Sequence, residues 1–145
     1  MNPNLFVYGS LLARAGHPMG ERLAGEARPI GEACLEGRLY RISWYPGLVE
    51  GTSFRERVYG EVYALDDPVR TLRWLDAYEG VAEGGARAGD YARAERTARL
   101  AHGGEIRVWV YLYCGDVSGL AIVPGGRWLA AATGACNPAS TRQNS

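Results

Sequence analysis

The fold of this chain is decided near its start, by the stretch Leu5-Phe6-Val7-Tyr8-Gly9-Ser10-Leu11-Leu12. Its apolar run breaks at Gly9 and Ser10 and then resumes, which predicts a buried strand ending in a tight turn. Glycine lets the backbone adopt a positive φ, or lets a ligand approach the main chain closely. The Ser10 hydroxyl and the amides of such a turn can hold a small carboxylate. Most turns of this composition bind nothing, so the stretch alone predicts only a turn.

Size and composition favour one ordinary globular domain. The chain has 145 residues, of which 47% are hydrophobic and 22% charged, and this is enough for a substantial core. We expect a single domain over residues 1–133 and a disordered tail over residues 134–145, where the sequence is small and polar.

The charge balance argues against a nucleic-acid partner. Sixteen basic residues are matched by sixteen acidic ones, so binding would need a local basic patch. The best candidates alternate with acidic or small residues and are therefore predicted to lie on solvated strand faces: Arg55, Arg57, Arg93, Arg96 and Arg99.

Location and cofactors are also constrained by composition. The sequence shows neither a signal-peptide pattern nor an apolar run long enough to cross a bilayer, so we expect a cytoplasmic protein without membrane attachment. Cys34, Cys114 and Cys136 are widely spaced, and only two histidines accompany them. That spacing is poor for zinc and predicts buried or incidental thiols. No metal or cofactor is expected.

The strand pattern predicts an α+β fold. Residues 57–65 alternate between two faces, and residues 91–100 and 105–114 form a hairpin that turns at His102-Gly103-Gly104. Strands do not alternate regularly with long helices, which argues against a doubly wound parallel sheet. We expect a small mixed β-barrel of about six strands with a few helices packed outside.

The clearest helix follows the central strand. Asp66 or Asp67 can cap it, Pro68 suits its first turn, and Gly80 suits its end. Its apolar face is predicted to contain Val69, Leu72, Leu75 and Tyr78. Glu79 then lies in the last turn, where the helix dipole and burial would both disfavour ionisation. A solvated glutamate at a helix end is the commoner arrangement, and the pattern alone leaves both possibilities open.

Most familiar catalytic patterns are absent. The sequence has no Walker-type phosphate loop, no dinucleotide-binding fingerprint and too few histidines for a serine or cysteine relay. An enzyme built from this chain would therefore use a single carboxylate as proton carrier, together with backbone amides and tyrosines.

Five short motifs resemble, in order, those of the gamma-glutamylcyclotransferase-like family, which includes the gamma-glutamylamine cyclotransferases. They run over nearly the full chain: Phe6-Val7-Tyr8-Gly9-Ser10-Leu11, Gly60-Glu61-Val62-Tyr63-Ala64-Leu65, Leu75-Asp76-Ala77-Tyr78-Glu79-Gly80, Tyr91-x-Arg93 with Val110-Tyr111, and Gly126-Arg127-Trp128. Each motif is weak alone, but five in the same order are fairly specific.

The resemblance implies a site and a reaction. The turn Tyr8-Gly9-Ser10-Leu11 would bind the α-carboxylate and α-amino end of a small-molecule γ-glutamyl substrate. Glu79 would act as general base and then acid while the substrate closes to 5-oxoproline and releases an amine or amino acid. Tyr111 or Tyr113 would line the pocket, with Tyr111 favoured because it matches the family's Val-Tyr position.

Two other functions fit the same sequence. One is a catalytically silent binding module that keeps the pocket for a small amino acid. The other is an enzyme that removes a γ-glutamyl group from a biosynthetic intermediate. Nothing in the sequence sets the oligomeric state, although Trp44-Tyr45 would suit an interface if it is exposed.

Overall fold

The computed structural model describes residues 1–12, 15–50 and 56–129. The strands are β1 (Asn4–Val7), β2 (Ala27–Glu36), β3 (Arg38–Arg41), β4 (Pro46–Val49), β5 (Arg57–Leu65), β6 (Tyr91–Leu100) and β7 (Glu105–Tyr113). The helices are α1 (Pro18–Ala24) and α2 (Pro68–Glu79). The predicted tail at residues 134–145 and the predicted domain boundary at residue 133 lie outside the described residues.

Five of these strands form a closed barrel in the order β1-β5-β2-β6-β7. Neighbouring strands are antiparallel except where the barrel closes, since β1 and β7 pair in parallel through Leu5 and Trp109. Strands β3 and β4 form a separate two-stranded sheet. The predicted α+β barrel with helices outside is confirmed, with five barrel strands where about six were expected.

The two faces of the strands pack into two different cores. Val108, Val110 and Leu112 of β7 belong to a cluster shared with Phe6 and Val62, which fills the barrel interior. The opposite face of the strands packs against the helices, in a cluster that contains Leu5, Val7, Leu23, Tyr63, Leu72, Leu75 and Tyr111. The alternation predicted for β5 and β7 therefore separates the barrel interior from the layer beneath the helices.

Helix α2 begins and ends where its sequence predicts. The Asp67 side chain accepts a hydrogen bond from the Arg70 amide at 3.3 Å, and Gly80 ends the helix in the left-handed conformation at φ 74°. The predicted apolar face is wrong at Val69, which is 55% exposed. Val69 is the second residue of α2 and belongs to neither core cluster.

The cysteines, the helices and the possible metal-binding side chains bear on the environment of the chain. Cys34 is buried and Cys114 is a free, exposed thiol, whereas Cys136 lies outside the described residues. Among the described residues, neither helix has the length and apolar character needed to cross a bilayer. In the same part of the chain, no group of histidine, cysteine and acidic side chains is arranged to hold a metal ion.

Candidate active site

The turn after β1 forms one wall of the site. The Leu12 amide donates to the Gly9 carbonyl oxygen at 3.0 Å, which closes the predicted turn. Gly9 does not have a positive φ. Its hydrogen instead faces Pro46, since a Cβ at residue 9 would lie 2.8 Å from the Pro46 ring. The glycine is needed because β4 approaches the turn there.

Both helices hold this turn in place. Gly20 of α1 packs against its carbonyls, and a Cβ there would lie 3.2 Å from the Leu11 oxygen and 3.3 Å from the Ser10 oxygen. On the other side, the Ser10 hydroxyl and the Tyr78 hydroxyl of α2 are hydrogen-bonded at 3.1 Å. The turn is thus fixed relative to the end of α2.

A cavity of about 310 Å³ lies between the turn and the end of α2. A cavity of this volume suits a small metabolite. Its walls are formed by Phe6, Val7, Tyr8, Gly9, Ser10, Leu11, Trp44, Tyr45, Pro46, Tyr78, Glu79, Gly80, Gly89, Asp90, Tyr91 and Tyr111.

The cavity brings together most residues proposed from the sequence: Tyr8, Gly9, Ser10, Leu11, Glu79 and Tyr111. Tyr113 is not in its wall. That ring instead packs over β4 at Gly47 and contacts the Tyr91 ring, with centroids 5.4 Å apart. Tyr113 therefore supports the wall from behind.

Glu79 supplies a carboxylate to the cavity from the last residue of α2. Among the described residues, no hydrogen bond or ion pair engages this carboxylate. Burial, followed by the negative charge of Asp76, raises the pKa of Glu79 to about 7. Glu79 can therefore both accept and donate a proton near neutral pH.

The buried tyrosine hydroxyls of the cavity are already hydrogen-bonded to protein groups. Tyr8 donates to the Tyr111 carbonyl oxygen at 2.6 Å and accepts from the Leu48 amide at 3.1 Å. Tyr91 donates to the Pro46 carbonyl oxygen at 2.7 Å. Burial raises the pKa of Tyr8 and of Tyr91 far above the ordinary range. These hydroxyls therefore stay uncharged near neutral pH, and their side chains form walls of the cavity.

An ion pair that the sequence analysis missed adjoins this wall. The Arg93 guanidinium donates to both carboxylate oxygens of Asp76, at 2.8 and 3.0 Å, and the Tyr111 hydroxyl donates to Asp76 Oδ1 at 2.7 Å. Arg93 was expected on a solvated face, but its side chain is only 5% exposed. Asp76 and Arg93 both lie within the motifs that resemble the family, but those motifs gave neither residue a role.

The cavity mouth is aromatic. Trp44 is 60% exposed. It stacks almost parallel on His17, with centroids 5.7 Å apart, and meets Tyr45 edge-on at 5.1 Å. The neighbouring carboxylate of Asp90 has no side-chain partner among the described residues. The mouth thus offers flat apolar surface beside one negative charge.

The described geometry agrees with a family assignment. The sequence profile of the family "Gamma-glutamyl cyclotransferase, AIG2-like" matches residues 5–130. The chain belongs to this family. The matched range begins in β1 and extends past the aromatic residue Trp128, so it includes every residue of the cavity wall. A search of proteins with curated functions finds no match.

Solved structures of other proteins share the fold. Protein YtfP from Escherichia coli is 34% identical with a TM-score of 0.59, over 87% of this chain and 96% of its own. YkqA from Bacillus subtilis is 22% identical with a TM-score of 0.66, over 88% of this chain, but the chain spans only 40% of YkqA. A protein described as a gamma-glutamyl cyclotransferase is 21% identical with a TM-score of 0.55, over 83% of this chain and 69% of its own.

Proposed function

We propose that this protein cyclises a small γ-glutamyl compound to 5-oxoproline and releases an amine or amino acid. The observation that carries the proposal is the Glu79 carboxylate, which has no hydrogen-bond or ion-pair partner among the described residues. Its pKa is raised to about 7, and it lines the same small cavity as the Tyr8–Leu11 turn. Family membership supports the same reaction. We also propose that the protein acts in the cytoplasm on a free small molecule and needs no metal or cofactor.

In this mechanism the turn binds the substrate and Glu79 transfers the proton. Backbone groups of Gly9, Ser10 and Leu11 bind the α-carboxylate and orient the α-ammonium toward Glu79. Glu79 removes one ammonium proton, and the freed amine attacks the γ-carbonyl carbon. The new C–N bond closes the five-membered ring as the bond to the leaving nitrogen breaks. Glu79 returns that proton to the leaving nitrogen. The attacking nitrogen loses a second proton as it becomes the lactam amide, and this proton also passes to the released amine, so no water is consumed.

The direct test is release of 5-oxoproline from a panel of γ-glutamyl amino acids and γ-glutamylamines. Turnover of one class supports the proposal and names the substrate group. Thermal stabilisation by a γ-glutamyl compound without turnover favours the silent binding module instead. Turnover confined to a larger γ-glutamyl conjugate favours removal of a γ-glutamyl group from a biosynthetic intermediate.

The pH dependence of catalysis follows from the raised pKa of Glu79. The base must be deprotonated to accept the ammonium proton, so kcat/KM should rise about tenfold per pH unit below pH 7 and level off above it. Initial rates of 5-oxoproline release between pH 5 and 8 measure this. A profile that is flat over that range contradicts Glu79 as the base.

Trp44 is proposed to contact the leaving group. Trp44→Ala should raise KM about fivefold for a γ-glutamyl compound with an aromatic leaving group and change kcat little, because stacking of that kind contributes about 1 kcal/mol. The melting temperature should hardly change, since the ring is mostly exposed. Val69→Ala removes another exposed apolar side chain, away from the cavity, and should leave KM unaltered. Equal KM values for Trp44→Ala and the parent would remove Trp44 from the substrate site.

A further inference from the structure

A buried ion pair adjoins the candidate site and has no part in the proposed proton transfer. Asp76 lies on α2 one helical turn before Glu79, and its partner Arg93 comes from β6. Their side chains are 12% and 5% exposed. Desolvating two charges is costly, and such a pair adds little stability over apolar packing of the same volume. Stability alone therefore does not account for a buried ion pair beside Glu79.

Three hydrogen bonds hold the Asp76 carboxylate in one orientation. Arg93 supplies two of them in a bidentate pair, and the Tyr111 hydroxyl supplies the third. Arg93 is itself fixed, because its guanidinium lies 4.5 Å from the centre of the Trp109 ring. The orientation of the Asp76 carboxylate is thus set by residues of two strands, β6 and β7.

We propose that Asp76, held by Arg93 and Tyr111, is a positioning residue that places a fixed negative charge one helical turn from Glu79. A nearby negative charge makes a carboxylate keep its proton to higher pH. This agrees with the contribution of Asp76 to the raised pKa of Glu79. The inference rests on the proposed function, in which Glu79 must hold and release a proton near neutral pH.

Other groups face Glu79 from each element around the cavity. They are Tyr78 on its own helix, Tyr8 after β1, Asp90 and Tyr91 at the start of β6, and Tyr111 on β7. Burial keeps the pKa values of Tyr8, Tyr91 and Tyr111 well above neutrality, so these three hydroxyls stay uncharged over the relevant pH range. Asp90 lies at the cavity mouth and is exposed, where solvent screens its charge.

Asp76→Asn tests the proposal because it keeps the side-chain shape and removes the charge. Arg93 then remains unbalanced, and the acid limb of the kcat/KM profile should move to lower pH by about one unit. Glu50→Gln is the matched control. Glu50 pairs with Arg96, which lies on β6 as Arg93 does, but this ion pair is exposed and lies away from the cavity. That variant should leave the limb in place.

A second readout does not depend on turnover. The Glu79 carboxyl carbon can be titrated by NMR in protein labelled with [5-¹³C]glutamate and assigned by its absence in Glu79→Gln. We expect its midpoint to fall in Asp76→Asn and to stay unchanged in Glu50→Gln. A lowered midpoint in a protein that turns over no substrate supports the role of Asp76 and rejects the proposed reaction.

An unchanged titration of Glu79 in Asp76→Asn would contradict the proposal. If Asp76→Asn loses activity or stability while both the limb and the titration midpoint stay in place, Asp76 is only structural and the proposal is wrong. Should Asp76→Asn fail to fold, Asp76→Asn with Arg93→Gln restores a neutral, hydrogen-bonded pair. Its midpoint should lie below the parent value, because the negative charge nearer to Glu79 is removed together with its counter-charge on Arg93. A midpoint equal to the parent value overturns the proposal.

Discussion

Glu79→Gln is expected to lower kcat for 5-oxoproline formation by about 10²- to 10⁴-fold, the contribution of a positioned proton-transfer group. Gln has nearly the shape of Glu but can neither take the proton from the α-ammonium nor return it to the leaving nitrogen. Binding at the Tyr8–Leu11 turn should be retained, so KM should change far less than kcat. Steady-state kinetics on the best γ-glutamyl substrate measure both constants.

A surface glutamate provides the control for this substitution. Glu21 lies on the exposed side of α1, and Glu21→Gln should have parent activity. Full activity in Glu79→Gln would rule out Glu79 as the base. A loss of activity accompanied by loss of the folded state would say nothing of chemistry, so thermal unfolding must be followed in parallel.

The same substitution should affect stability in a pH-dependent way. The folded protein holds the Glu79 proton up to a pKa of about 7, whereas the ordinary value is 4.5. Between these values the unfolded chain releases the proton and the folded chain keeps it, so the group reduces stability as the pH rises. At pH 8, Glu79→Gln should gain up to about 3 kcal/mol over the parent. At pH 4 the two proteins should be equally stable.

A large loss of stability is expected for Gly60→Ala. Gly60 lies in β5, and a Cβ at that residue would overlap the carbonyl oxygen of Val7 and lie 2.9 Å from Cζ of Phe6. Backbone cannot yield as a flexible side chain does, so β1 would have to move. We expect a loss of about 3 kcal/mol or more and a melting temperature lower by about 10 °C. Activity should fall as well, because β1 leads directly into the Tyr8–Leu11 turn.

Gly25→Ala is the matched control for that prediction. Gly25 ends α1 at φ −78°, and a Cβ there would have its nearest neighbour at 3.5 Å, an ordinary contact. Its melting temperature should stay within about 2 °C of the parent value, since a glycine in a compatible conformation tolerates alanine. Equal melting temperatures for Gly60→Ala and Gly25→Ala, measured by circular dichroism, would contradict the close approach of β1 and β5.

The elements predicted best are those with local signals. Helix α2 has its cap, its proline and its terminal glycine within a few residues of one another, so its bounds were predictable. The β6–β7 hairpin was predictable for the same reason, because its turn contains two glycines between alternating strands. Val69 was misplaced because helical spacing describes the direction of a side chain and not how far the neighbouring core extends.

The residues of the candidate site were predicted only in part. Glu79 and the Tyr8–Leu11 turn followed from motifs in the sequence, and the structure places them around one cavity. Arg93 was assigned to solvent because β6 alternates with acidic and small residues. Its guanidinium is instead bound by Asp76, which lies 17 positions earlier on helix α2. No local sequence pattern predicts such a contact.

The sequence by itself determined the strand alternation, the ends of α2 and the identity of the carboxylate at its last residue, because each depends on neighbours along the chain. Only the tertiary structure decided the parallel closure of β1 against β7, the approach of Pro46 to Gly9 and the burial of the Asp76–Arg93 pair. These contacts join segments distant in sequence. The proton affinity of Glu79 is decided at the same level, because burial and the charge of Asp76 act through space.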